Sequence, residues 1–276
     1  MSRHWFFTGA SSGIGRHLAE IILASGDDLT ATVRRPETLD DLAARYGDQL
    51  VVERLDVTVK GDIAPVVQRA EARRPVDVLV NNAGGGIIGA TEEFSDADIE
   101  GQISLNLLAP VHVTRAFIPA MRTRRAGRII QISSASGQGS LPTSSLYHAA
   151  KWGLEGFSEC LRQELEGFGV FVTLIEPGGA RTSSSRNLQY ALANPAYQDT
   201  PAGQIRAMFE NAGDELYTLD PQKIAHRIFD TATSEKPPLR VALGGDAFGV
   251  IQAALKGRLS ALEAQESLAR SVAFDS

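Results

Sequence analysis

At 276 residues, with apolar side chains making up 43% of it, the chain is long enough to bury a full core and still fold as a single α/β domain over 1–276. A net charge of −6 and a pI of about 5.5 oppose its field to nucleic acid and to an anionic membrane surface, so neither is expected as a partner. One cysteine, Cys160, rules out an internal disulfide and fits a reducing compartment, where it reads as a small buried residue.

Arg3 to Thr8 is the first strand candidate, a short run of bulky apolar residues. It is too short for a secretory leader, and no later stretch approaches the ~18 apolar residues of a membrane span, so a cytoplasmic protein is expected. The chain then passes into Thr8-Gly9-Ala10-Ser11-Ser12-Gly13-Ile14-Gly15, which has almost no side chains, and on into a helical period over Gly13 to Ser25 with Ile14, Leu18, Ile21 and Ile22. Strand candidates follow at Leu29 to Arg34, Leu50 to Asp56 and Val76 to Asn81, the last nearly continuous in apolar residues, as a strand covered on both faces requires. Arg128 to Ser133, Val170 to Glu176 and Leu239 to Leu243 complete the set, with a second helical period over Leu146 to Glu166. Strands alternating with helices imply right-handed crossovers and a Rossmann-type, doubly wound parallel sheet with helices on both faces. The stretch at about 183–218 breaks the alternation and reads as a substrate-loop insertion with short helices, and about 248–276 reads as a helical extension.

The glycine run after the first strand is where a pyrophosphate can rest on backbone N–H groups at the positive end of a helix, the absent side chains making room for it. An acidic residue about 20 positions beyond such glycines binds the ribose 2′-hydroxyl and repels a 2′-phosphate, whereas an arginine accepts that phosphate. This chain has Val33, Arg34 and Arg35 there, with no carboxylate before Glu37, so NADP(H) is expected over NAD(H), with Arg34 the main contact and Arg35 secondary. Asn81-Asn82-Ala83-Gly84 stands at the carboxyl end of the fourth strand, beside the crevice where doubly wound sheets bind ligands. Tyr147 and Lys151 are one helical turn apart and share a face, and Ser134 lies just past the fifth strand. An ammonium beside a phenol favours the phenolate, which is the physical reason to pair them. Ser133 is the alternative hydroxyl, and strand alternation sends one of the two serines into the site. The histidines His4, His17, His112, His148 and His226 contain no i, i+4 pair, so no metal is expected.

TGASSGIG, NNAG, Asn106 in SLNLLAP, Ser134 in QISSASG, YHAAK and PGGART together resemble the short-chain dehydrogenase/reductase family over most of Arg3 to Leu243. The resemblance implies a carbonyl/alcohol oxidoreductase in which Tyr147 is the general acid or base, Lys151 holds the nicotinamide ribose and lowers the pKa of the phenol, Ser134 bonds the carbonyl oxygen and Asn106 anchors a water-linked proton path. It further implies a cofactor held by Gly9, Ser11, Ser12, Gly13, Ile14, Gly15, Asp56, Val57, Asn82, Ala83, Gly84, Pro177, Gly178 and Thr182, together with Tyr147 and Lys151. LDVT, LEGF and LIEPG are similar to the hydroxysteroid and retinol dehydrogenase branch, though they belong mainly to the scaffold.

Two other functions sit on such a scaffold: a cofactor-free lyase, which would replace Lys151 by arginine and fill the glycine loop, and a nucleotide sensor without turnover, against which the full Asn106, Ser134, Tyr147, Lys151 set argues. An NAD-dependent alcohol dehydrogenase is the remaining alternative. Leu188, Tyr190, Leu192, Ile205, Met208 and Phe209, with Leu141 and Pro142, favour a partly hydrophobic carbonyl substrate. The family's habit of pairing subunits through the Tyr/Lys helix implies a homodimer or homotetramer, with Leu154, Phe157 and Leu161 as apolar candidates.

Overall fold

A computed structural model of the protein describes residues 2–182, 188–211 and 213–274. In chain order the strands are β1 (His4–Thr8), β2 (Asp28–Val33), β3 (Leu50–Arg54), β4 (Val78–Asn81), β5 (Ile87–Ile88), β6 (Gly127–Ile132), β7 (Val170–Pro177), β8 (Gln189–Tyr190) and β9 (Arg240–Leu243). The main helices are α1 (Gly13–Ala24), α2 (Asp40–Tyr46), α3 (Lys60–Arg73), α4 (Asp96–Ile103), α5 (Ala109–Arg124), α6 (Ser145–Leu165), α7 (Pro201–Glu210), α8 (Pro221–Thr233) and α9 (Gly245–Glu263). Seven parallel strands form one sheet in the order β3-β2-β1-β4-β6-β7-β9, and β5 pairs with β8 in a separate parallel ribbon that the sequence did not announce. Each of the seven strand candidates falls within two residues of a strand in that sheet.

The two-residue period decides which side chains face which helices. Trp5, Phe7, Val78, Val80, Ile130 and Ile132 point to one face, where α1 and α8 bury Leu18, Ala19, Ile22, Ala225 and Ile228 against them. Phe6, Leu79, Ile129 and Val172 point to the other, under Val66 and Val67 of α3, Phe117 and Met121 of α5, and Leu161 and Leu165 of α6. Aromatic contacts tie β1 to both layers: Trp5 stacks on Phe229 at 5.5 Å, and Phe6 meets Phe117 at 4.8 Å. The indole N–H of Trp5 is not left idle in the core, since it donates to Asp27 at 2.9 Å.

The order of connection reverses between β1 and β4. From β1 the chain builds outward through β2 and β3, then returns to place β4 on the other side of β1. At that reversal the loops after the two strands diverge and leave a crevice at their carboxyl ends. The site is built there.

Two readings from the sequence are corrected by packing. Cys160 is exposed. It stands on α6 beside the exposed Glu159, on the face opposite the buried Leu154, Leu161 and Leu165, so helical phase overrides the usual preference of cysteine for the interior. Leu154 and Leu161 are buried in the chain's own interior and so offer no surface to a second subunit, while the half-buried Phe157 packs one side against the core under the sheet. Among the described residues no helix is long and apolar enough to cross a membrane, and no group of three His, Cys, Asp or Glu side chains is placed to hold a metal ion. Part of the expected insertion, residues 183–187 and 212, and the last two residues of the expected extension lie outside the described residues.

Candidate active site

The glycine run turns from β1 into α1 through two left-handed residues, Gly9 at φ +76 and Gly13 at φ +55. A side chain on Gly9 would lie 2.9 Å from the backbone of Ala83, and one on Gly13 would lie 3.0 Å from Thr182. One on Gly15 would run into the carbonyl oxygen of Gly9. All three glycines are thus required by close approach of backbone or of the loop after β7. Ser12 precedes α1 in extended conformation with its hydroxyl not engaged in capping, and Ser11 and Ser12 are both exposed. The first turn of α1 carries no acidic residue, so its N–H groups face outward without a competing carboxylate.

The loop is fastened to the end of β4. Thr8 Oγ1 accepts from the N–H groups of Asn82 and Ala83 at 3.0 and 3.2 Å, and the Asn82 amide donates to the carbonyl oxygens of Thr8 and Gly9. Arg34 and Arg35 stand exposed just past β2, and among the described residues neither guanidinium makes a salt bridge. Asp56 follows β3 with its carboxyl held below the usual range, first by the Thr58 hydroxyl and amide and then, against the penalty of burial, by the field of Arg34. Val57 is buried next to it, and Ile14 packs into the core beneath the glycine loop. A dinucleotide fits this set: an open run of backbone N–H groups whose glycines leave no room for a Cβ, with two guanidinium groups at the neighbouring strand end that make no salt bridge among the described residues. Gly15→Ala is therefore expected to weaken binding of the reduced dinucleotide by about tenfold or more, read by calorimetric titration, because the methyl group runs into the Gly9 carbonyl and the Asn82 amide that holds it.

Ser134, Tyr147 and Lys151 converge as their spacing requires. The Ser134 side chain lies close enough to the phenol of Tyr147 to pull its pKa down, and its Oγ accepts from the Ser136 N–H at 3.1 Å. Ser133 points the other way and donates to Glu155 at 2.5 Å, which resolves the choice between the two serines. Lys151 lies under the ring of Tyr147, 5.6 Å from its centroid, and its Nζ donates to the carbonyl oxygen of Ile132 at 2.8 Å. Burial lowers the ammonium to a pKa of about 8, against a smaller opposing pull from Glu155. Tyr147 departs from the expectation that lysine would lower it: burial pushes the phenol up, and only the bond to Ser134 pulls it down. In the free protein burial outweighs every group that would favour the phenolate, and the phenol stays protonated.

Asn106 lies in a single π-helical turn, Ser104–Leu108, between α4 and α5, and is buried. Its amide donates to the carbonyl oxygens of Gly85 and Gln102, and its Oδ1 accepts from the Gly85 N–H at 3.3 Å. Both ends of the side chain are engaged in holding the loop after β4, so a part in proton transfer would fall to its backbone. Pro177 ends β7, Gly178 and Gly179 follow, and Asp246 of α9 accepts the N–H of Gly179 at 2.8 Å, a contact no motif foretold. His148 was likewise unflagged. Its Nε2 accepts from the Leu141 N–H at 3.0 Å, which puts its hydrogen on Nδ1, donated to Ser136, and so clamps the loop from Ser136 to Leu141 beside the phenol. Thr143, a β-branched residue at φ +69 two positions past that loop, is held by the Gly89 N–H on its carbonyl oxygen. A roomier hollow of about 280 Å³ lies elsewhere, around Leu219, Lys223 and Leu243, and none of the three convergent residues lines it.

Comparison with known proteins agrees with this fold. A family model described as short chain dehydrogenase matches residues 3–192. The chain is 35% identical over 250 residues to oxidoreductase BOA17 of Botryotinia fuckeliana (strain B05.10), covering 90% of each. A crystal structure of a short-chain dehydrogenase from Streptomyces avermitilis superposes with a TM-score of 0.90 at 39% identity, covering 99% of both chains. A metagenomic short-chain oxidoreductase in complex with NADP superposes with a TM-score of 0.69 at 27% identity over 87% of this chain and 96% of that one.

Proposed function

Since the chain belongs to the short-chain dehydrogenase/reductase family, whose members are oxidoreductases, we propose that it interconverts a ketone or aldehyde and its alcohol using NADP(H), with Tyr147 as the general acid or base. The observation that carries this reading is the convergence of Ser134, Tyr147 and Lys151 at the carboxyl edge of β6, next to the glycine cradle. The nicotinamide supplies the hydride when bound. Ser134 and the phenol of Tyr147 are the two donors for a carbonyl oxygen. As the carbonyl carbon gains a hydride, its oxygen takes the phenolic proton and leaves a phenolate over which the Lys151 ammonium sits. A phenol kept protonated by burial is ready to donate, which favours reduction as the working direction. Alcohol oxidation runs the same proton backward and needs the phenolate first.

The cofactor preference rests on Arg34, with Arg35 secondary. A guanidinium bonded to a phosphate contributes about 1.5–3 kcal/mol per hydrogen bond, enough for a preference of roughly ten- to a hundredfold. The parent is expected to prefer NADPH over NADH in kcat/KM, and the double variant Val33→Asp/Arg34→Ala is expected to reverse or erase that preference. A parent that favours NADH, or a variant whose ratio stays put, overturns the assignment. The substrate side is partly apolar: Leu188 packs by Gly86, and Tyr190, Leu192 and Leu141 are exposed around the same loops. A cofactor-linked panel of aryl ketones, steroids, quinones and β-ketoesters tests that class.

A further inference from the structure

Two buried carboxyl groups lie behind the catalytic serine, and the reaction outlined above uses neither. Glu155 of α6 and Glu176 of β7 are 5% and 2% exposed. Both converge on the Nε of Arg240, at 3.0 Å from Glu155 Oε2 and 3.5 Å from Glu176 Oε1, which sets the two carboxyl groups against one nitrogen and so side by side. Two ionised carboxylates are acceptors only, so neighbouring carboxyl groups held on one nitrogen can bond to each other only through a proton. A single guanidinium, itself shared with the exposed Glu159 at 2.7 Å, does not offset two buried negative charges.

We propose that Glu155 and Glu176 form a carboxyl pair that shares one proton, and that this pair is a positioning element for Ser134 and Lys151 whose charge state sets the field in which Tyr147 works. The proposal rests on the Ser134, Tyr147, Lys151 reading of the site. Its connections run in two directions. Glu155 accepts from Ser133, the residue before Ser134, and stands one helical turn after Lys151, so Tyr147, Lys151 and Glu155 follow one another at i, i+4 and i+8. Glu176 accepts at 3.0 Å from Gln138, at the end of the short turn that carries Ser134 and Ser136. The charged groups around the pair are Lys151 and Glu159 on α6 and Arg240 on β9, while Arg258 of α9 reaches it only through Gln138 and Asp246 is engaged with Gly179.

Burial, with the neighbouring Glu155 adding to it, pushes Glu176 up to about 7, against the pull of Gln138 and Arg240. The folded protein therefore holds this proton between the ordinary value of 4.5 and about 7 while the unfolded chain has released it. Raising the pH through that window favours the unfolded chain, so stability is expected to decline there, and Glu176→Gln is expected to flatten the decline.

The direct test is infrared spectroscopy of the cofactor-free protein, which does not depend on any activity. The parent is expected to show a protonated-carboxyl C=O band at pH 6 that fades as the pH rises past 7. Both Glu176→Gln and Glu155→Gln are expected to lose it, because neither variant keeps two carboxyl groups between which a proton can be shared. In the oxidation direction, the rise of kcat/KM with pH is expected to begin about half a unit or more lower in Glu176→Gln than in the parent, since the variant never acquires the second negative charge that opposes the phenolate. A purely structural role would scale the profile without moving it. No carboxyl band in the parent, a band that survives Glu155→Gln, or pH profiles that superimpose would overturn the proposal. If the band behaves as expected and Tyr147→Phe stays active, the pair stands and the catalytic reading fails.

Discussion

Tyr147→Phe is expected to lower kcat by about 10² to 10⁴ while leaving NADPH affinity within about twofold of the parent. The substitution removes one oxygen, and with it the proton that a carbonyl oxygen must receive. It leaves the ring in place over Lys151, and the glycine cradle, Arg34 and the loop after β4 make no use of the phenol. Steady-state reduction of a ketone found in the substrate panel gives kcat, and quenching of protein fluorescence by NADPH gives affinity in the same preparations. Retained turnover would assign proton donation to another group. His148, one residue further along, is a poor candidate because both ring nitrogens are bonded to the Ser136–Leu141 loop.

Lys151→Ala is expected to do what the tyrosine substitution does not: weaken NADPH binding and reduce turnover together. In the parent, burial leaves the ammonium with a pKa of about 8, so the charged form predominates at pH 7 and is lost as the pH rises through 8. NADPH affinity in the parent should fall with it. The variant has no ammonium to lose, and its affinity should be lower at pH 7 and nearly flat across that range. Its pH optimum for alcohol oxidation should lie higher, because the phenolate that forms during oxidation has no cation beneath it. A drop of about tenfold or more in affinity at pH 7, with a further loss in kcat, fits both roles. An effect on affinity alone would leave Lys151 as a cofactor-binding group with no influence on the phenol.

Much of the sheet was legible because its strands are buried on both faces and read as short apolar runs, whatever their neighbours. The glycines were legible because backbone that must pass close to other backbone excludes side chains, and the Tyr147/Lys151 pair because helical spacing is local. What escaped depends on distant packing. Glu155 stood at the same i+4 interval from Lys151 that singled out the tyrosine, but its partners, Ser133, Glu176 and Arg240, come from three different strands or strand ends. Glu176 sat inside a strand candidate as an unexplained charge. The π turn around Asn106 gave no signal, since a helix with one extra residue in a turn has nearly the same apolar pattern. Cys160 shows the reverse error, where a general preference of the residue type was allowed to outweigh the phase of its own helix.

The fastening of Thr8 to Asn82 joins positions separated by 74 residues, whereas β1 finds β2 after a much shorter excursion, Trp5 opposite Leu29. Local pairings form ahead of distant ones because the entropy of closing the loop must be met before the contacts reward it. During synthesis, a chain that has not yet reached Asn82 already contains all of TGASSGIG, yet the bond from the Gly9 N–H to the Thr32 carbonyl oxygen forms without the four bonds that fasten Thr8 and Gly9 to Asn82 and Ala83. Recognition of the dinucleotide is therefore acquired late, with the docking of β4. A nucleotide present in the surroundings cannot guide the early steps of folding. It acts as a ratchet on chains in which β4 has docked on β1, shifting the balance toward the finished molecule by an amount that grows with the logarithm of its concentration over its dissociation constant.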